Sequence, residues 1–229
     1  MRAGIIAALP GELKPLVRGW ERQRSGVKEI SVWKTARGED ELIAVCSGMG
    51  SAAAAKSVAA AEFFGALDVL VSVGWAGGLT AAMTTGSCYV LSEVIDAKTG
   101  ERFALSGGES GLRLVTTAHV ADAQEKRRLA ESYGAALVDM EAATVARLAE
   151  MRGIPCHAFK AVSDAQDAEL PDLNPFINAQ GQMEMASFLA HVALRPRFWG
   201  SLMEMGKNSA MAARAIAGQV DRFFAEKQR

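Results

Sequence analysis

The sequence is poor in the residues that mark metalloproteins and disulfide-rich proteins. It has only three cysteines and three histidines among 229 residues, and none of them stands at a spacing typical of metal ligands. We therefore predict no metal site. The cysteines, at positions 46, 88 and 156, lie in apolar surroundings, and we expect them to be buried free thiols in a reducing compartment.

Long apolar runs and an excess of one charge are also absent. No run reaches the roughly 20 apolar residues of a membrane span. Pro10 and Glu12 interrupt the short apolar run at the start of the chain, which favours a first core strand over a signal peptide. We therefore expect a cytoplasmic protein. The formal net charge of −1 indicates no affinity for nucleic acid. Residues 195–229, however, carry seven basic and three acidic side chains, a net charge of +4. With Phe198 and Trp199, this basic tail suggests a peripheral contact with anionic lipid.

Short β-rich apolar runs alternate with alanine-rich segments of high helical propensity along the whole chain. This alternation predicts a three-layer α/β fold in which helices flank a mixed, mainly parallel central sheet. Half of the residues are hydrophobic and 22% are charged, which is ordinary for a globular protein with a sizeable core. We therefore predict a single domain over residues 1–229.

Small or polar residues follow the apolar runs at five places. These are Pro10–Glu12, Ser47–Gly50, Gly74–Gly78, Met140–Glu141 and Ser163–Asp164. Each has a simple local explanation as a helix cap, a first-turn acid or a glycine turn. Because the carboxyl ends of parallel strands gather at one edge of a sheet, their conjunction predicts one glycine-lined pocket that holds three carboxylates.

Several carboxylates around one pocket suit bond cleavage at the anomeric carbon of a sugar. The oxocarbenium-like transition state needs a proton for the leaving group and a nucleophile on the opposite face. One carboxyl can donate that proton while another stays ionised as a base, or accepts hydrogen bonds from two ribose hydroxyls. The residue types alone leave the division of these roles open.

Five segments resemble, in family order, the motifs of the nucleoside phosphorylases, and especially the methylthioadenosine/S-adenosylhomocysteine nucleosidase branch. They are GIIAALPGEL, SGMGSAAAA, VSVGWAGGL, VDMEAATVA and FKAVSDAQD, which lie between residue 4 and about residue 167. The resemblance implies a nucleoside phosphorylase-like fold and a homo-oligomeric enzyme that cleaves the N-ribosyl bond of a small-molecule purine nucleoside. It implies no cofactor, with phosphate as an alternative co-substrate to water.

The resemblance also implies the roles of individual residues. Asp164 would be the general acid at purine N7, with Ser163 holding it, and Glu12 would be the base that activates water. Glu141 would accept hydrogen bonds from the ribose hydroxyls. The remaining substrate-binding positions would be Met49, Trp75, Ala76, Gly77, Val120 and Met140.

Some positions depart from the family pattern. Trp75 stands where relatives usually have a small residue, which leaves the choice between hydrolysis and phosphorolysis open. Lys160 replaces a common arginine, and we expect that change to be minor. The charged segment from Glu125 to Glu131 is expected to be the solvated face of an exposed helix.

From about residue 182 the chain diverges into a helical part unlike the single closing helix of the nucleosidases. With the segments ERF, ELPDLNPFINAQG and HVALRP, the pattern resembles the hopanoid-associated phosphorylase branch, called HpnG. That resemblance implies cleavage of adenosylhopane, a lipid-linked adenosine, in hopanoid biosynthesis. An apolar exit for the lipid would then be lined by Met49, Met183, Met185, Phe188 and residues 197–199, although core or interface packing explains the same residues equally well.

Other functions stay open. A methylthioadenosine/S-adenosylhomocysteine-type nucleosidase and a purine nucleoside phosphorylase differ only in substrate or nucleophile. A non-catalytic nucleoside-binding sensor belongs to another class, but it would not need an acid at N7. A dinucleotide-dependent oxidoreductase is disfavoured because no GxGxxG pattern follows the first strand.

Overall fold

The computed structural model describes the chain apart from residues 28, 109–110, 169–171, 179, 185–186, 189–190, 192–194, 196–198 and 227–229, and apart from the side chains of 199, 201 and 202. The described strands are β1 (Arg2–Ala7), β2 (Glu21–Gln23), β3 (Ser31–Arg37), β4 (Asp40–Cys46), β5 (Val69–Gly78), β6 (Cys88–Val90), β7 (Glu93–Asp96), β8 (Arg102–Ala104), β9 (Arg113–Thr116), β10 (Leu137–Asp139) and β11 (Cys156–Asp164). The described helices are α1 (Pro10–Leu13), α2 (Ser51–Glu62), α3 (Ala123–Tyr133), α4 (Ala142–Arg152) and α5 (Trp199–Glu226), with a 3₁₀ turn at Asn174–Phe176.

All of these strands join one mixed sheet. Its main path runs β2-β3-β4-β1-β5-β10-β9-β7-β8, and β11 pairs with both β5 and β6. Parallel pairs join β1 to β4 and β5, β11 to β5, and β9 to β7 and β10. β3 and β4 form an antiparallel hairpin. Strand β5 therefore lies at the centre, because it pairs with β1, β10 and β11.

Two apolar clusters attach helices to the two faces of the sheet. One contains Val58 of α2 and Val145 of α4. The other contains Leu13 of α1 together with Ala212, Ile216, Val220 and Phe224 of α5, which recur every fourth residue and so form one stripe along the helix. The sheet is thus enclosed between helical layers.

The glycine-rich segment after Val73 differs from its expected structure. We predicted a turn there, but β5 continues to Gly78 and pairs with β11 on one side and β10 on the other. The lack of a side chain at these glycines lets neighbouring groups pack closely against the backbone of β5. A Cβ at Gly74, where φ is +149°, would lie 2.8 Å from Oε1 of Glu12.

Helix α3 is not the fully exposed helix that its charges indicated. Lys126 and Leu129 are buried on its inner face, three residues apart and therefore on the same side of the helix. The prediction of a solvated face holds for Arg127 and Arg128, which are exposed, and is wrong for Lys126.

The cysteines agree with the expectation of free thiols. Cys46 and Cys156 are buried and Cys88 is half-buried, and all three are unpaired. Burial raises the pKa of each thiol to about 12. In the part of the chain that the structure describes, no helix is long and apolar enough to cross a membrane. The predicted lipid contact involves Phe198, which lies outside the described residues, and the side chain of Trp199, which is likewise not described.

Candidate active site

All ten predicted site residues line one cavity with a volume of about 200 Å3. They reach it from the carboxyl ends of β1, β4, β9, β10 and β11 and from the second half of β5. The functional roles that the resemblance implies for them remain predictions. The ten are Glu12, Met49, Trp75, Ala76, Gly77, Val120, Met140, Glu141, Ser163 and Asp164.

Glu12 lies in the single turn of α1 and is only 3% exposed. Its Oε2 accepts hydrogen bonds from the backbone N–H groups of Ala8 (2.9 Å) and Leu9 (2.8 Å), and its Oε1 accepts one from the N–H of Trp75 (2.8 Å). Burial raises the pKa of Glu12 above its ordinary value, against these hydrogen bonds and the positive charge of Lys160, which lower it. The site therefore holds a buried carboxyl group in one orientation with three fixed donors.

Glu141 immediately precedes α4 and is 8% exposed. Its Oε1 accepts a hydrogen bond from the backbone N–H of Gly50 at 2.6 Å. Burial, followed by the negative charge of Asp139, raises the pKa of Glu141 to about 8. A carboxyl group with this pKa changes its protonation state close to neutral pH.

Asp139, which lines the cavity, forms a buried ion pair with Lys160. Lys160 Nζ lies 2.8 Å from Oδ2 of Asp139, and the two side chains are 1% and 0% exposed. Thr116 donates a hydrogen bond to Oδ1 of Asp139 at 2.6 Å. Burial lowers the pKa of Lys160, but attraction to Asp139 and Glu141 outweighs it and leaves this pKa above its usual value. Lys160 is therefore a buried positive charge that pairs with Asp139 and attracts Glu141.

Asp164 ends β11 and is held by two donors. Ser163 Oγ donates to its Oδ1 at 2.5 Å, and Lys126 Nζ donates to its Oδ2. Lys126 also donates to the carbonyl oxygen of Ala165 at 2.6 Å. The sequence analysis did not assign Lys126 to the site. The available signal was its position three residues before the apolar Leu129, which places both side chains on the same, buried side of α3.

The rest of the cavity is largely apolar. Met49 and Met183, both predicted for an apolar exit, line it, and so do residues that were not predicted for it: Thr117, Leu173, Met205 and Ser209. His119, which had no assigned role, lines it too.

The predicted exit is only partly found. Phe188 does not line the cavity, and its ring packs against Phe176 with centroids 5.6 Å apart. This packing is the core role given above as the alternative for Phe188, and it arises because the chain folds back on the 3₁₀ turn, where the amide of Glu184 donates to the carbonyl of Phe176. Met185 and residues 197–198 lie outside the described residues, and the side chain of residue 199 is not described.

Solved structures with the same architecture are nucleosidases and a related hydrolase. The 5′-methylthioadenosine/S-adenosylhomocysteine nucleosidase of Helicobacter pylori matches with a TM-score of 0.73 and 15% identity, over 99% of this chain and 98% of that chain. The futalosine hydrolase of Helicobacter pylori strain 26695 gives a TM-score of 0.73 and 15% identity over 99% and 98% of the two chains. The 5′-methylthioadenosine nucleosidase of Arabidopsis thaliana gives 0.73 and 18% identity over 98% and 94%. No curated protein matches the sequence.

These structures confirm the predicted single-domain α/β fold with a mixed central sheet. The family model described as Phosphorylase superfamily matches residues 2–112 and 109–193. This match supports the prediction of an enzyme of the nucleoside phosphorylase type. The chain therefore belongs to the Phosphorylase superfamily.

Proposed function

We propose that the protein cleaves the N-glycosidic bond of a 5′-substituted adenosine and releases adenine. The observation that carries this proposal is the arrangement of Glu12, Glu141 and Asp164 around one cavity, each with different hydrogen-bond donors. Carboxyl groups whose surroundings set them apart in this way can serve as acid, base and ligand in one reaction. A non-catalytic sensor would need neither the acid nor the base.

In this reaction Asp164 faces N7 of the purine. Protonation at N7 makes the base a neutral leaving group, so that the C1′–N9 bond breaks with an oxocarbenium-like ribosyl group. Ser163 holds the carboxylate through its 2.5 Å hydrogen bond. Ala76, Gly77 and Val120 contact the flat faces of the base.

Glu141 and Met140 bind the sugar. A carboxylate can accept hydrogen bonds from two adjacent ribose hydroxyls, and the amide of Gly50 keeps Glu141 turned toward the cavity. The thioether of Met140 then packs against the ribose.

Glu12 removes a proton from the attacking water. Its three backbone donors keep the carboxylate in place while the proton arrives. Water is favoured over phosphate because Lys126 is the only cation among the described residues that line the cavity, and it is already paired with Asp164. Trp75 adds bulk beside Glu12 and leaves less room for a phosphate group.

We further propose adenosylhopane as the substrate, as the resemblance to the hopanoid-associated branch implies. An apolar 5′ substituent suits the apolar side chains of Met49, Leu173, Met183 and Met205. The alternatives are methylthioadenosine and S-adenosylhomocysteine, which the names of the similar nucleosidases suggest.

The test is adenine release from adenosine, methylthioadenosine and adenosylhopane, each with and without phosphate, followed by chromatography. We expect release from adenosylhopane that does not depend on phosphate, with a free ribosyl product. Formation of a ribosyl 1-phosphate would identify a phosphorylase. Release from methylthioadenosine alone would identify a nucleosidase of that type, and binding without turnover would support the sensor.

We also propose a homo-oligomer and a peripheral lipid contact. Phe63 is 85% exposed and Met151 is 74% exposed, and the ion pair between Glu62 and Arg152 brings the ends of their helices together. An apolar patch of this kind is typical of an interface. Light scattering of wild type and Phe63→Asp tests the first proposal, since unchanged mass would contradict it. Lys207→Gln together with Arg214→Gln neutralises two exposed basic residues of this tail and should weaken binding to anionic liposomes, and unchanged binding would contradict the second.

A further inference from the structure

The Asp164 side chain and a buried ammonium group, that of Lys126, lie side by side in the wall of the cavity. Lys126 reaches Asp164 from α3, and its side chain is 3% exposed against 14% for Asp164. Its aliphatic part runs past Gly77, where a Cβ would lie 3.0 Å from Cε of Lys126. Asp164 is the more exposed of the two groups, so the base of a bound nucleoside would contact Asp164 first, with Lys126 beside it.

As arranged, the Asp164 carboxylate has no proton to donate. Both of its oxygens accept hydrogen bonds, Oδ1 from Ser163 and Oδ2 from Lys126. An ammonium carries three hydrogens and is a donor only. Among the groups in contact with Asp164, Lys126 therefore holds the labile proton.

We propose that Lys126 is the proton source for the departing purine, and that Asp164 passes the proton on. This inference rests on the proposed cleavage of a purine nucleoside. An Nζ–H bond of Lys126 breaks, Asp164 accepts that proton, and the resulting carboxylic acid delivers it to N7, which restores the carboxylate. The C1′–N9 electron pair then stays on the base, which leaves as neutral adenine.

The charges balance over the reaction. Lys126 becomes a neutral amine, adenine leaves as a neutral molecule with the proton on N7, and the ribosyl cation carries the positive charge that Lys126 has lost. Water adds to C1′ and loses its proton to Glu12. Return of that proton through solvent restores the ammonium and the Glu12 carboxylate.

Burial of Lys126 supports this direction of transfer. An ammonium out of water is costly unless it is paired, and the neutral amine has no such cost. The free enzyme balances the ammonium with Asp164. Once the proton has passed to N7, Lys126 is a neutral amine and no longer needs the Asp164 carboxylate as its counter-ion.

Two substitutions and two substrates test the proposal. Lys126→Met removes the proton, and Lys126→Arg keeps the positive charge but holds its proton too tightly to release it near neutral pH. The first substrate is the adenine nucleoside. The second is a riboside with the same 5′ group and a 4-nitrophenolate leaving group, which departs without a proton. Arg127→Met, an exposed charge on the same helix, is the matched control.

We expect both Lys126 variants to lose at least about 100-fold in kcat on the nucleoside, the usual size of a general-acid contribution. Their KM should change by less than about threefold, and their kcat on the nitrophenyl riboside should stay near that of wild type. Lys126→Met with Asp164→Asn removes both charges, so it should fold and keep the nitrophenyl activity.

Three outcomes would overturn the proposal. Near-normal nucleoside turnover by Lys126→Arg would mean that only the charge matters. Equal losses on both substrates would make Lys126 purely structural, and full activity of Lys126→Met would remove it from the reaction. Failure of the proposed function would give a different result from failure of this inference. In that case wild type itself would release no adenine from any nucleoside.

Discussion

Asp139 and Glu141 lie two residues apart, but Asp139 caps helix α4 and Glu141 does not. Asp139 accepts a hydrogen bond from the first amide of α4, that of Ala142, at 2.9 Å, whereas Glu141 makes no capping hydrogen bond to that helix. Glu141 instead accepts the amide of Gly50, 91 residues earlier in the chain. Because Asp139 satisfies the start of the helix, Glu141 is free to face the cavity.

The protonation of Glu141 predicts how stability changes with pH. Its pKa is about 8 in the folded protein and about 4.5 in its ordinary state, so the folded protein holds a proton that the unfolded chain loses between these values. Stability from this group is present below pH 4.5 and is lost as pH rises through 8. The free energy of unfolding of wild type should therefore fall relative to that of Glu141→Gln between pH 5 and pH 8, by about 3–4 kcal/mol.

Urea denaturation at several pH values measures this difference. Glu150→Gln, an exposed position on the same helix, is the control and should follow wild type at every pH. Parallel curves for wild type and Glu141→Gln would show that the folded protein does not hold the extra proton.

Asp164→Asn tests the acid. The amide keeps the shape of the side chain but cannot pass a proton to N7, so kcat should fall by about 10²- to 10⁴-fold. Affinity for adenine, measured by calorimetry, should change little. A variant with near-normal turnover would exclude Asp164 from proton transfer.

Glu12→Gln tests the base. We expect kcat for hydrolysis to fall by at least about 100-fold, because the amide cannot accept the proton of water. The NH₂ group of glutamine would also face at least one of the three backbone N–H donors, so that hydrogen bond would be lost. The free energy of unfolding should then fall by about 1–3 kcal/mol. Turnover and thermal unfolding should be measured together, and a stable variant that hydrolyses at the wild-type rate would contradict the assignment.

Gly74→Ala tests the fit between β5 and the base. The new Cβ would lie 2.8 Å from Oε1 of Glu12 at a φ of +149°, so we expect a loss of about 1–3 kcal/mol in stability together with a loss of activity. Gly100→Ala also places alanine at a positive φ, +76°, but with no atom within 4 Å. It should lose stability alone, and equal loss of activity in both variants would show that contact with Glu12 is unimportant.

Much of the fold followed from local patterns. Alternating apolar and alanine-rich segments predicted the layers because hydrophobic periodicity acts over a few residues. The five strand-end motifs predicted the cavity because parallel strands bring their carboxyl ends together. The exception was β5, where glycines that are typical of a turn instead permit a strand beside Glu12.

By itself, the sequence determined the type of fold and which side chains gather at the cavity, since both depend on local periodicity and on the ends of strands. Only the tertiary structure decided how the charges are paired. Lys126 meets Asp164 across 38 residues, and Lys160 of β11 meets Asp139 of β10, two strands that both pair with β5. Such pairs depend on the distances between buried groups, and these exist only once the helices have packed on the sheet.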